Sequence, residues 1–137
     1  MMHFPSIESL IPHRAPFLFV DRLIHLEKGK KAVGIKHISL SEPYLLEAGG
    51  KNVFPGTLVL EALAQVSAIA EGKEAADGSL PLLAGLNGFE FTRPVYAGDT
   101  LRLEAEIIRK RRGFAISTGT IWIGESMAAQ GEILSKD

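Results

Sequence analysis

Glu61 is the residue of this chain whose type and surroundings point most clearly to chemistry. It is the lone carboxylate in residues 58–66, LVLEALAQV, a run that is otherwise apolar on nearly every face of a predicted helix. A helix that is apolar all round is buried. A carboxyl group carried into such an interior either meets a partner or has its pKa raised toward neutrality. We therefore predict that Glu61 exchanges protons inside the protein.

Two residues near Glu61 suit the chemistry of an acyl carbonyl. Gly56 opens the predicted helix, where unpaired amide N–H groups and the positive end of the helix dipole can bind a thioester carbonyl and stabilise negative charge on it. Gln65 follows Glu61 by four residues and shares its face, so its amide either orients the carboxylate or is a plain core amide. The pattern predicts an acid and an oxyanion site that face one cavity.

Apolar side chains are also expected to contact substrate. We predict Phe17 and Phe54 as substrate-binding residues in an acyl tunnel, with Phe19, Leu86 and Phe89 as further lining. The alternative for each is simple core packing, because aromatic residues at strand spacing usually belong to the core.

The remaining pattern predicts one α+β domain that spans residues 1–137. Strands are expected at residues 17–26, 31–40, 82–91, 100–109, 114–123 and 127–134, and residues 41–55 read as an irregular loop. One helix of about eighteen residues begins at Gly56 and fades at residues 75–78, where Gly78 supplies a stop. An antiparallel sheet must wrap around this helix, and a second copy pairing edge to edge would cover the rest, so we predict a homodimer.

Composition limits the partners. The 137 residues include 15 basic and 16 acidic side chains, a formal charge of −1, which argues against a protein-wide nucleic-acid surface. There is no cysteine, and no His, Asp or Glu spacing typical of a metal site, so neither a thiolate nucleophile nor a metal is expected. No secretory signal or membrane span is predicted, and a cytoplasmic protein is expected.

Three segments resemble the hotdog-fold (3R)-hydroxyacyl-[acyl-carrier-protein] dehydratases of fatty acid synthesis. They are residues 11–22 (IPHRAPFLFVDR), 55–65 (PGTLVLEALAQ) and 91–101 (FTRPVYAGDTL). The resemblance implies a hotdog dimer that needs no cofactor and acts on a thioester of acyl carrier protein or coenzyme A. It places the catalytic acid at Glu61 and the carbonyl-binding amide at Gly56.

One departure from the resembled family concerns histidine. The family carries a catalytic His in a Gly-His-Phe-Pro-Gly stretch before the helix, whereas residues 42–56 here contain no histidine. His13 is one candidate replacement, although the family's corresponding segment packs as structure, and Lys51 or Asn52 is another. Two alternatives to a dehydratase stay open: a thioesterase that uses Glu61, and a non-catalytic acyl-thioester binder.

A basic run, residues 109–112 (RKRR), precedes Gly113 at a predicted hairpin turn. It is either a solvated turn or a docking surface for an acidic acyl carrier protein, whose attraction would weaken with salt.

Overall fold

One long helix and one curved antiparallel sheet account for most of the chain. A computed structural model describes residues 4–72 and 82–136. Six strands form a sheet in the order β1-β2-β7-β8-β9-β5, and three short strands form a second sheet in the order β3-β4-β6. The elements are α1 (Ile7–Leu10), β1 (Arg22–Glu27), β2 (Lys31–His37), β3 (Leu46–Ala48), β4 (Lys51–Phe54), α2 (Gly56–Glu71), β5 (Leu82–Asn87), β6 (Val95–Tyr96), β7 (Thr100–Arg111), β8 (Phe114–Ile123) and β9 (Ser126–Lys136). The predicted antiparallel sheet wrapped around one long helix is confirmed.

Helix α2 has a sharp start and a sharp end. The carbonyl of Pro55 accepts hydrogen bonds from the N–H groups of Leu58 and Val59, at 3.0 and 3.2 Å, which closes the first turn. Gly72 ends the helix in the left-handed region, φ 71°, and its N–H donates to Ile69. The helix therefore spans sixteen residues and stops earlier than predicted. The predicted stop at residues 75–78 lies outside the described residues.

The sheet and the helix touch closely because two strand positions lack a side chain. A Cβ at Gly119 of β8 would lie 2.6 Å from Cδ2 of Leu63, and one at Gly34 of β2 would lie 3.0 Å from Cγ2 of Val66. Both helix residues are fully enclosed. The sheet-facing side of α2 also contains Val59, Ala62, Ile69 and Ala70, each at most 2% exposed. This side of the helix is the centre of the core.

Strand β1 begins at Arg22, not at Phe17 as predicted. The buried amide of Gln65 takes the place of a partner strand, because its Oε1 accepts from the Phe19 N–H and its Nε2 donates to the Phe17 carbonyl, both at 2.9 Å. The chain joins the ladder at Asp21, whose N–H donates to Ile35 at 2.8 Å. A helix side chain thus holds this segment beside α2.

The prediction of an irregular loop over residues 41–55 is wrong. Strands β3 and β4 form a hairpin there, and β4 also pairs with the two-residue strand β6. The turn is made by Gly49 and Gly50, with φ values of 60° and 78°. Successive positive φ values are what a tight hairpin turn requires, and glycine adopts them freely.

Strand β5 is an apolar edge strand. Among the described residues it pairs only with β9, and its Leu82, Leu83 and Leu86 side chains are exposed. In residues 4–72 and 82–136 we find no helix long and apolar enough to cross a membrane.

Candidate active site

Glu61 lies beside a cavity of about 130 Å³ where α2 meets strands β5 and β9. Its side chain is 22% exposed, so it is only partly enclosed in a single chain. The cavity also contacts His13, Gln65, Glu71, Leu83 and Ser135. The predicted acid therefore adjoins a hollow, which is the first requirement for acyl chemistry.

His13 is brought to the same cavity from the N-terminal segment. Its Nε2 lies 3.8 Å from Oε1 of Glu61, a distance in the range of an ion pair but longer than a hydrogen bond. The Arg14 guanidinium fixes this segment by donating to the carbonyls of Glu8, Ile11 and His13. Within the described chain, the buried Nδ1 of His13 has no hydrogen-bond partner. The sequence offered His13 as one candidate replacement for the missing histidine, and the structure places its imidazole beside the acid.

Gln65 lines the cavity without orienting Glu61. Its side-chain oxygen and nitrogen bond to the backbone of Phe19 and Phe17, as described above. The expectation of a Gln65–Glu61 hydrogen bond is therefore replaced by a positioning role for the Phe17–Phe19 segment. A direct contact between Gln65 and substrate stays a prediction.

Gly56 lies at the helix start but does not line the Glu61 cavity. The reason is helical geometry. Gly56 and Glu61 are five residues apart, and five steps of about 100° make one full turn plus about 140°, so the two residues lie on different sides of the helix. The Phe91 ring covers Gly56, since an added Cβ would lie 3.2 Å from its Cε2. Within one chain, the expectation that the oxyanion site and the acid face one cavity is wrong.

Neither of the two aromatic substrate candidates lines the cavity. Phe54 is 1% exposed and packs edge-on against Phe19, with ring centroids 6.0 Å apart, so the structure places it in the core. Phe17 is 43% exposed and also packs edge-on against Phe19, with ring centroids 4.8 Å apart. A substrate contact for Phe17 stays a prediction, whereas Phe54 is explained by packing.

The two polar residues of the former loop lie elsewhere. The Nζ of Lys51 sits 4.7 Å from the centre of the Tyr96 ring, and the backbone carbonyl of Asn52 accepts from Ala97. Both belong to the small sheet and do not line the Glu61 cavity. Of the candidates for the missing imidazole, the structure brings only His13 to Glu61.

Sequence reasoning missed a second acid on α2. Glu71 lines the same cavity, is 6% exposed, and accepts a hydrogen bond of 2.8 Å from the Ser135 hydroxyl of β9. Ten residues separate it from Glu61, which leaves the two only about 80° apart around the helix. A helical-wheel projection of the sequence would have shown that Glu61 and Glu71 lie on the same side of the helix.

The basic run forms part of an open cleft of about 440 Å³ at the β7–β8 hairpin. Arg109, Arg111 and Arg112 contribute the charge, and Phe114 with Ile116 contributes an apolar floor. Arg112 occupies the turn with φ 48°. The guanidinium-bearing residues thus border an apolar surface, and the choice between a solvated turn and a docking surface stays a prediction.

The comparisons with known proteins agree with this architecture. Residues 11–132 match the model of the FabA-like domain. The chain belongs to the FabA-like family. It is similar to 3-hydroxyacyl-[acyl-carrier-protein] dehydratase FabZ of Thermomicrobium roseum, with 45% identity covering 98% of this chain and 91% of the relative. A protein of the same description from Chloroflexus aggregans is 43% identical, covering 98% and 94%.

Solved structures support the fold. The dehydratase heterocomplex ApeI:P from Xenorhabdus doucetiae includes a chain that superposes with a TM-score of 0.83, at 17% identity, covering 98% of this chain and 92% of that one. Cj0977, a sigma28-regulated virulence protein from Campylobacter jejuni, gives 0.73 at 21% identity, covering 95% and 84%. The predicted hotdog fold and the predicted membership in the dehydratase family are confirmed.

Proposed function

We propose that the protein dehydrates 3-hydroxyacyl thioesters, with Glu61 and His13 as the proton-exchanging pair. Membership in a family whose relatives are named dehydratases supports the reaction class. The observation that carries the assignment to this chain is the 3.8 Å approach of an imidazole to the helix acid at one cavity. This approach is made within a single chain, without the loop histidine of the resembled family.

The reaction needs two proton transfers on one substrate. One group of the pair removes the proton from C2, the other protonates the hydroxyl on C3, and water leaves as the C2–C3 double bond forms. General acid–base catalysis by one such group contributes about 10²- to 10⁴-fold. Both side chains line the cavity and are partly exposed, which gives the pair access to both solvent and cavity.

A second copy of the chain would complete the site. The apolar edge of β5 exposes three leucines beside the cavity, and Leu82 and Leu83 also line it. Pairing along this edge would bury them and would cover the open side of α2. It would also allow the Gly56 amide of one copy to serve the acid of the other, which the 140° separation of these residues prevents within one chain. We propose a homodimer on these grounds, and sedimentation of the wild type as a monomer would contradict it.

The decisive test is Glu61→Gln, which keeps the side-chain shape and removes the titrating proton. We expect turnover of a 3-hydroxyacyl thioester, followed as enoyl absorbance, to fall about 10²- to 10⁴-fold. Glu125→Gln is the matched control, because Glu125 is an exposed acid in the β8–β9 turn. Full turnover by Glu61→Gln would remove the proposed role of the acid.

The same assay separates the rival activities. Release of free thiol without enoyl formation would identify a thioesterase. Binding of the thioester without either product would identify a non-catalytic binder.

The arginine cleft is proposed as the docking surface for acyl carrier protein. Guanidinium groups beside an apolar floor suit an acidic partner with some apolar contact surface. The double substitution Arg109→Glu, Arg111→Glu should raise KM for the carrier-borne substrate at low salt about tenfold, and the difference should shrink as salt screens the charges.

Two comparisons control this experiment. The coenzyme A thioester lacks the protein partner, so its KM should not change in the double variant. Arg22→Glu removes an exposed arginine from β1, at the other edge of the sheet, and should have no effect. An equal loss with both substrates would mean that the double variant damages the fold and that the cleft is not a docking surface.

A further inference from the structure

The arginine cleft continues into a second hollow on the outer face of the sheet. The cleft has a volume of about 440 Å³ and the adjoining hollow one of about 380 Å³, and Ile116 of β8 and Leu134 of β9 line both. Ser117 and Ser135, the next residues along each strand, bond to α2. Because side chains alternate along a strand, Ile116 and Leu134 point away from the helix. We call the joined hollow the outer groove, and it lies across the sheet from the Glu61 cavity.

The floor of the outer groove is a single line of residues that crosses four strands. Arg109 pairs with Ile116, Ile116 pairs with Leu134, and Leu134 pairs with Gly85 of β5. Neighbouring strands lie about 4.8 Å apart, so the line is about 14 Å long. A Cβ at Gly85 would lie 3.9 Å from Cβ and Cδ2 of Leu134, so the missing side chain leaves the floor open at the β5 end. A floor of this shape suits one linear apolar chain.

Charge differs between the two ends of the outer groove. The β7 end is lined by three guanidinium groups, those of Arg109, Arg111 and Arg112. The β5 end is lined by Glu132, whose carboxylate repels an anion. An anionic head group is therefore favoured at the β7 end, with its chain directed toward β5. Arginine also suits a carboxylate in particular, because the two groups can form paired hydrogen bonds.

We infer that the outer groove is a binding site for a linear aliphatic carboxylate. The head group lies at Arg109 and its neighbours, and the chain lies over Ile116 and Leu134 as far as Gly85. The inference goes beyond the proposed reaction, because this site is on the other face of the sheet from Glu61. Pairing of two copies along the edge of β5 leaves this face open. The ligand shares its arginines with the proposed docking surface, so ligand and carrier would exclude each other.

The test is calorimetric titration of the whole protein with alkanoates from hexanoate to tetradecanoate, each kept below its micelle concentration. Affinity should rise about two- to fourfold for each added methylene group. It should level off once the chain exceeds the floor of about 14 Å. Alcohols and alkylammonium ions of equal length should bind at least about tenfold more weakly. Equal affinity for all three head groups, or a rise that never levels off, would contradict the inference.

Two substitutions separate the head group from the chain. Gly85→Val places ordinary side-chain contacts on the floor. It should make affinity level off at a shorter alkanoate and leave hexanoate unchanged. Arg109→Gln should weaken every alkanoate by a similar factor, about three- to tenfold. Arg22→Gln removes an exposed arginine from β1, at the other edge of the sheet, and should change nothing. Thermal unfolding shows that each variant folds, and a wild-type dependence on chain length in folded Gly85→Val would refute the site.

Competition excludes the Glu61 cavity as the place where the alkanoate binds. A saturating enoyl-coenzyme A thioester should leave the affinity for dodecanoate unchanged, and displacement of dodecanoate would place the carboxylate in the Glu61 cavity and end the inference. If the thioester itself does not bind, the proposed function fails, and Gly85→Val still decides where the carboxylate lies.

Vesicles of phosphatidylglycerol distinguish a single ligand from a membrane surface. Monomeric dodecanoate should bind in their absence. Capture of the protein by vesicles without any binding of monomeric dodecanoate would identify a membrane-binding face, and the site for a single carboxylate would be rejected.

Discussion

Two sides of the same helix have opposite compositions. The side of α2 that faces the sheet contains Leu63, Val66 and their enclosed apolar neighbours, and two sheet glycines make room for them. The side that faces the cavity contains Glu61, Gln65 and Glu71. One helix thus stabilises the fold through one side and places acids at a cavity through the other. Substitutions on the two sides should change different measurements.

The largest effect is expected on the cavity side, from His13→Gln. If the imidazole is the partner of Glu61, turnover should fall about 10²- to 10⁴-fold, equivalent to about 3–5 kcal/mol of transition-state stabilisation. The denaturant midpoint should change little, because His13 makes no side-chain hydrogen bond among the described residues. Enoyl formation and equilibrium unfolding measure the two quantities.

His25→Gln is the matched control for this substitution. His25 is another histidine near a carboxylate, with Nε2 3.0 Å from Oε1 of Glu27, but its side chain lies on β1, 42% exposed and away from the cavity. It should change neither quantity. Unchanged turnover in His13→Gln would show that the 3.8 Å approach of His13 to Glu61 has no part in catalysis.

The next effect is expected on the sheet side, from Leu63→Ala. Removing a fully enclosed leucine should lower the free energy of unfolding by about 2–5 kcal/mol through lost burial and the cavity left behind. Leu58→Ala, about 140° around the helix, should cost less because Leu58 is only partly buried. Urea denaturation of both variants makes the comparison, and equal costs would contradict the division between the two sides.

The smallest change in stability is expected from Gln65→Leu. Gln65 lines the cavity but also holds the backbone of Phe17 and Phe19, so it belongs to both sides of the helix. The substitution leaves the buried Phe19 N–H without its acceptor, at a cost of about 1–3 kcal/mol in unfolding free energy. Gln130→Leu is the control, since Gln130 is exposed and its amide donates to the Thr120 hydroxyl on the neighbouring strand, not to a buried backbone group. A loss of turnover without a loss of stability in Gln65→Leu would instead support the predicted direct contact between Gln65 and the substrate.

Much of the fold follows from pattern alone. The apolar run around Glu61 predicts a helix surrounded by structure, and the alternation of apolar and charged residues over 101–107 predicts β7 well. The errors arise where a long-range contact replaces a local rule. Phe17 and Phe19 have strand-forming side chains, yet a glutamine 46 residues further on holds the Phe19 backbone. Gly49 and Gly50 were interpreted as breakers, although the same pair is a hairpin signal.

The site was predictable only in part. Glu61 stands out because an acid in an apolar helix is rare, so its place on a cavity could be anticipated. The sequence could name His13 only as one candidate partner among three, because its approach to Glu61 depends on how a segment 48 positions earlier folds back over α2. Gly56 and Glu61 were assigned to one cavity from sequence proximity, whereas helical rotation separates them. Spacing alone does not say which side of the helix will be open.

The pairing of β2 with β7 joins residues 31–37 to residues 100–106. During synthesis, the N-terminal strands and the apolar helix therefore emerge from the ribosome long before the strands that cover them exist. Their hydrophobic surface stays in water until β7, β8 and β9 follow, and such exposed apolar surface favours association between incomplete chains. Loss of β9 would therefore remove Ala128, Ala129 and Ile133 from the core as well as a strand from the sheet.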